Sequence, residues 1–229
     1  MLGDLSVMLL CYGYIVVMIV VSSRLERLGV SSGYSRKFLH AMIGNLPFII
    51  PFFSWSFSPF LVAAPFILVT FLASPYSPFD GLRGRMQGLA DITEEGHHLG
   101  LILYAISYTV LASLFPDKPY VIAAGVLPMA YGDSSAAIVG LKYGKRRTLG
   151  KKTLEGSLAM FTVSLTMVGF SMFYFGWLYS FNPLTLLPAV GTVAAVVAVA
   201  ELVSPRGYDN IAVPLLGAAA FILAGGGLH

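Results

Sequence analysis

Apolar residues in this chain run in long unbroken blocks separated by short polar connections, rather than striping or alternating. A block of about 20 apolar residues is what a helix needs to cross the hydrocarbon core of a bilayer. The blocks fall at residues 4–21, 37–53, 57–73, 98–115, 119–140, 154–180, 183–203 and 209–227. They predict an all-α polytopic membrane protein of about eight transmembrane helices, with residues 1–229 forming a single integral membrane domain. The second and third blocks are short and hold Pro47, Pro51, Pro59 and Pro65. Kinks, or a helical hairpin about Ser54–Ser56, are expected there. The sixth block is long enough to tilt or to start outside the hydrocarbon.

Composition and charge sharpen this picture. The chain is 57% hydrophobic and 11% charged, with a mean hydropathy of +0.80, whereas a soluble domain carries roughly 25% charged residues. Of its 14 Lys and Arg, 13 fall in the connections after spans one, three, five and seven, and Lys118 alone falls on the other side. The positive-inside rule then places both termini on the non-cytoplasmic side and the four charged loops in the cytoplasm. A net charge of +3 and a pI near 9.0 follow this topology and do not mark a nucleic-acid partner. Cys11 is single, so no intramolecular disulfide forms. The N-terminus lacks a basic n-region and a small-residue cleavage site, so the first block reads as a retained span. In the longest loop, 74–97, turn residues precede a short interfacial helix expected at 82–92. His97–His98 with Glu94 and Glu95 read as solvated loop residues.

Four polar patches fall at the cytoplasmic ends of the spans. Arg36, Lys37 and His40 enter span two; Arg36 and His40 share a helix face, and the cations suit phosphate as well as they suit snorkelling to the interface. Gly132-Asp133-Ser134-Ser135 lies late in span five. An intramembrane carboxylate marks function by default, and Asp133 suits a hard cation such as Mg²⁺ bound together with phosphate oxygens. Ala136, Ala137, Gly140 and Gly144 continue it as a small-residue stripe that also permits close helix packing. Between Lys142 and Lys152 stand six cations in eleven residues, more than orientation requires. Lys151 and Lys152 precede span six, whose N-terminus offers unpaired N–H groups to phosphate, and Glu155 is placed to orient a lysine or join a metal shell. Glu201 ends span seven, and Asp209-Asn210 opens span eight after a Pro-Arg-Gly turn. Capping accounts for Asp209-Asn210 but not for Glu201, so Glu201 and Asp209 read as metal or substrate groups. No zinc spacing, GxSxG elbow or Walker A motif is present.

Together these pieces resemble the dolichol kinase and phytol kinase family of membrane CTP-dependent lipid kinases. The matching residues are Arg36-Lys37-x-x-His40, Gly132-Asp133-x-x-Ala136-Ala137-x-x-Gly140-x-x-x-Gly144, Lys151-Lys152-Thr153-x-Glu155-Gly156-Ser157, and Glu201 with Asp209-Asn210-x-x-x-Pro214. The central block is also similar to phosphatidate cytidylyltransferases, but the long C-terminal signature of those enzymes is missing. The resemblance implies transfer of the γ-phosphoryl of CTP to the hydroxyl of a membrane isoprenoid alcohol of dolichol, polyprenol, phytol or geranylgeraniol type. It implies Asp133 with Glu201 and Asp209 as metal ligands for Mg²⁺. Arg36, Lys37, Lys151, Lys152, Glu155, Gly132 and Asn210 would stand about the nucleotide. Asp133, Lys152, Asp209 and His40 would be the catalytic set, with Asp209 or His40 as base. The alternatives are a cytidylyltransferase, a diacylglycerol kinase and a small transporter; polar groups crowded on one face disfavour transport. The lipid chain requires an apolar groove, expected where the proline-broken spans two and three part.

Overall fold

The computed structural model describes residues 3–79, 81, 99–149, 152–205 and 207–227. The interfacial helix expected at 82–92, the His97–His98 pair, Lys151 and Arg206 lie outside the described residues. Among the described residues the architecture is all-α, and strand-like pairing is confined to a bridge between Arg147 and Thr153. Helices α1 (Asp4–Arg27), α2 (Ser32–Ile43), α3 (Ser58–Ala63), α4 (Pro65–Ala73) and α5 (Gly100–Leu114) form the first half. The second half comprises α6 (Pro119–Leu127), α7 (Asp133–Tyr143), α8 (Leu154–Tyr179), α9 (Leu187–Val203) and α10 (Asp209–Phe221). A π-helical turn, Pro128–Gly132, fuses α6 and α7 into one rod.

Among the described residues five helices are long and apolar enough to cross a membrane: Asp4–Arg27, Pro119–Tyr143, Leu154–Tyr179, Pro183–Val203 and Asp209–Gly226. The other apolar blocks form shorter helices, and prolines are the reason. Pro47 and Pro51 convert the end of the second block into two 3₁₀ turns, Leu46–Phe48 and Ile50–Phe52, and Pro65 separates α3 from α4. A helix of the length of α5 rises only about 22 Å, short of the roughly 30 Å hydrocarbon core. Helix length among the described residues therefore supports five crossings, against about eight expected from the apolar blocks and the alternation of charge. The Ser54–Ser56 turn is pinned by Asp4, whose carboxylate accepts the Ser54 and Trp55 N–H groups at 2.8 Å each.

The α6–α7 rod is the centre of the bundle. Its spanning window is 78% buried, against 22% for α1, because α8, α10 and α2 pack around it. Two prolines shape its contact with α10. Pro128 has no N–H for the Ala124 carbonyl, and Pro214 has none for that of Asn210. The Ser107 hydroxyl of α5 donates to the freed Asn210 oxygen at 3.0 Å, one way a membrane helix tolerates proline. A Cβ on Gly217 would stand 3.1 Å from the Ala124 oxygen, and one on Gly125 only 2.4 Å from the Pro214 oxygen. The two helices thus cross backbone to backbone.

Gly125→Ala should destabilise the protein by about 1–3 kcal/mol in detergent unfolding, because the obstacle is backbone. Gly13→Ala, with nothing within 4 Å of the added carbon, should be neutral or mildly stabilising. Ser107→Ala should cost about 1 kcal/mol or more, since it strands a buried carbonyl.

Candidate active site

Asp133 opens α7 directly after the π turn, so its carboxylate projects from the most buried rod of the bundle. Its side chain is 6% exposed, and a carboxylate that deep needs a partner. Lys37 of α2 supplies it: the Lys37 ammonium donates to Asp133 Oδ2. Ser134 reinforces the joint. Its hydroxyl donates to the Ala130 carbonyl at 2.6 Å and lies 3.2 Å from the Lys37 carbonyl. Pro128 and Ser134 thereby bracket the turn that aims Asp133, and π turns are frequent at functional sites.

A second cluster faces the first. Lys152 stands just before α8, where Thr153 caps the helix by accepting the Gly156 N–H at 3.2 Å. The Lys152 ammonium lies 2.6 Å from Glu201 Oε1 and 3.9 Å from Asp209 Oδ2, and it also donates to the Glu201 carbonyl. Asp209 is held by its neighbour: Asp209 Oδ1 accepts the Asn210 backbone N–H at 3.0 Å and its side-chain amide at 3.1 Å. That amide also donates to the Gly207 carbonyl at 3.1 Å. Gly207 has a φ of +86°, a conformation that only glycine adopts freely, and this lets the chain turn sharply from α9 into α10.

Both clusters line one cavity of about 300 Å³. Its charged wall is Arg36, Lys37, Asp133, Lys152, Glu201 and Asp209, and its opposite wall includes Ala136, Ala137, Gly140 and Gly156. The small residues are there because α7 and α8 touch. A Cβ on Gly156 would stand 2.9 Å from the Ala136 carbonyl, and one on Gly140 would stand 3.1 Å from Thr153 Oγ1. Close packing and ligand access are thus served by one stripe. Oxygen donors of this kind suit a hard cation. Among the described residues no three acidic, histidine or cysteine side chains form a closed metal cage, because lysines stand between the carboxylates. This arrangement fits a cation that uses one or two carboxylates and takes its remaining ligands from phosphate and water, the habit of Mg²⁺.

The remaining expected residues sit around this cavity rather than on it. Glu155 Oε2 accepts the backbone N–H groups of Lys145 and Arg146 at 3.1 and 3.3 Å, bracing the basic loop. Gly132 is a packing position, where a Cβ would meet Ser164 Oγ at 2.4 Å. Asn210 is buried behind Asp209 as its support. His40 is buried with its ring stacked on Tyr104, centroids 4.9 Å apart, and acts electrostatically on Asp133. At the start of α8 the N–H groups of Leu154 and Gly156 are already taken by the Arg146 carbonyl and Thr153, so the helix end presents its charge through Lys152. Ser107 and Tyr104 escape sequence reading. The helical proline at 214 signals that some hydroxyl is needed, but not which one.

No family model matches the chain, and no solved structure matches it. Two curated proteins do. A phytol kinase of Synechocystis sp. is 31% identical over 209 residues, covering 88% of this chain and 84% of its own length. A dolichol kinase of Saccharomyces cerevisiae is 29% identical over 184 residues, covering 78% of this chain but 35% of its own length. With most of both chains aligned in the first comparison, the protein belongs to the dolichol kinase and phytol kinase family.

Proposed function

We propose that this chain is a CTP-dependent kinase that transfers the γ-phosphoryl group to the hydroxyl of a membrane isoprenoid alcohol and releases CDP. The observation that carries the reading is the single cavity in which Lys37 and Lys152 alternate with Asp133, Glu201 and Asp209. Family membership adds the reaction class, and the motif resemblance supports CTP as donor. Phosphoryl transfer asks a protein mainly to position its reactants and to neutralise charge, and a ring of paired opposite charges is suited to both tasks.

Mg²⁺ would be held by Asp133 with Glu201 or Asp209, and when bound it neutralises charge on the polyphosphate. Lys37 and Lys152 would exchange their carboxylate partners for phosphate oxygens, with Arg36 at the rim. The alcohol oxygen forms the new bond to phosphorus, the bond to the CDP oxygen breaks, and the hydroxyl proton passes to a base. Asp209 lines the cavity whereas His40 is buried against Tyr104, which favours Asp209 as that base. The proposed topology has about eight crossings, with both termini outside and the cavity open to the cytoplasm. It rests on the placement of 13 of 14 cations in alternate connections.

Purified protein with Mg²⁺ and γ-labelled CTP should label an alcohol from a panel of phytol, geranylgeraniol and longer polyprenols, with CDP released. Pyrophosphate release with phosphatidate would make it a cytidylyltransferase instead, and label in diacylglycerol would reassign the acceptor. Asp133→Asn should lower turnover at least about a hundredfold, roughly 3 kcal/mol of transition-state stabilisation; turnover near wild type would sink the proposal. For topology, S56C should react with an impermeant maleimide from the outer face of sealed vesicles, and R147C only after permeabilisation. Native Cys11 is 1% exposed and should stay silent.

A further inference from the structure

The first half of the bundle leaves a second, partly open cavity, of about 50 Å³, between α1, α2, α3, α4 and α5. A single water needs roughly 10–15 Å³ on a comparable measure, so a branched hydrocarbon segment a few carbons long fits. Its walls include Leu39, Ile43, Val62, Leu101 and Tyr104. Thr70 also borders it, but its hydroxyl is spent on the Phe66 carbonyl of its own helix at 2.7 Å. Leu39, Leu101 and Tyr104 are at most 5% exposed, so its inner wall is buried, while other lining residues, Ile19, Ile43 and Phe66, are partly exposed.

Helix α2 connects this cavity to the charged one. Lys37 lines the charged cavity, and Leu39 and Ile43 line the apolar one. Positions 37 and 39 are about 200° apart on a helix, whereas 37, 40 and 43 rise along one edge at three-residue spacing. His40 therefore falls between Lys37 and Ile43 along α2, stacked on the Tyr104 ring that forms part of the apolar wall. A molecule with a hydroxyl at one end and a branched chain at the other spans this edge by laying its chain over His40.

We propose that the apolar cavity behind α2 holds part of the isoprenoid chain of the lipid alcohol beyond its first isoprene unit, with the hydroxyl directed past His40 toward Asp133. This rests on the reading of the protein as an isoprenoid-alcohol kinase. The cavity is too small for a helix or a second copy of the chain. Its apolar lining suits a hydrocarbon chain, and α2, which gives Lys37 to the charged cavity and Leu39 and Ile43 to the apolar one, places the two within two turns of one helix, which favours the chain of the substrate over bulk lipid.

The test fills the cavity from two opposite sides, with Ala105→Leu on α5 and Ala63→Leu on α3; both alanines line it. The readout is the ratio of kcat/KM for a twenty-carbon prenol to that for a five-carbon prenol, in the purified protein. In both variants this ratio should fall roughly tenfold, the scale on which a few methylenes discriminate in an apolar pocket. A ratio that stays at the wild-type value in either folded variant overturns the proposal, as does a loss that falls equally on both acceptors. A photoreactive prenol analogue provides a second reading if one variant misfolds. Crosslinks in the wild-type protein should map to α2 and to Tyr104–Tyr108, and crosslinks confined to the outer faces of α1 or α9 overturn the proposal. Wild-type protein that phosphorylates no alcohol refutes the kinase reading itself and this inference with it. A wild-type kinase whose variants keep their chain-length ratio refutes the cavity alone.

Discussion

A carboxylate placed deep in a bundle of apolar helices must be neutralised, or the helix that carries it will not settle there. The pairing of Asp133 with Lys37 is the local answer, and much of the molecule is arranged around it. The pair joins the central rod to α2 and so fixes how the first half of the bundle sits against the second. The triad of Lys152, Glu201 and Asp209 does the same for the start of α8 and the turn between α9 and α10. Opposite charges brought together by four separate stretches of chain act as ties within the bundle, and the cavity is the space the ties leave between them. Structural neutrality and a charged cavity come from the same side chains.

Small residues set how near the ties can come. The contact of α7 with α8 depends on Gly140 and Gly156, and that of α6 with α10 on Gly125 and Gly217. In lipid, helix association gains little from apolar burial and depends on close packing and on satisfied backbone groups. The glycines provide the first. Ser107, Thr153 and Ser134 help provide the second, each hydroxyl meeting a backbone group at a helix end or a proline break.

Much of this was legible in the sequence because membrane folds write their constraints plainly. Apolar blocks announced helices, as the all-α architecture of the described residues bears out. Lys37, Asp133, Lys152, Glu201 and Asp209, named from residue chemistry and motif order, line one cavity. What was not legible depends on distance between segments. Glu155 looked like a partner for a lysine or a metal because it stands four residues after Lys151 in sequence, yet it turns to the backbone of the preceding loop. Gly132 and Asn210 stand beside Asp133 and Asp209 in sequence, and in space they pack and brace. His40 lies off the cavity because its ring is committed to Tyr104, 64 residues away. Local spacing assigns a residue to a face, and only tertiary packing decides what that face meets.

The crossing of α6 and α10 is reciprocal: each helix offers a glycine to a carbonyl of the other, beside a proline that disturbs its own ladder. Neither helix can drift in sequence alone. A larger residue on one side needs a compensating retreat on the other; losing Pro128 would let its own ladder reclaim the Ala124 carbonyl that Gly217 faces, and losing Pro214 would do the same for the Asn210 carbonyl that Ser107 of α5 meets. The four positions should therefore behave as one inherited unit, changing together or not at all, while the surrounding lipid-facing surface is free to wander.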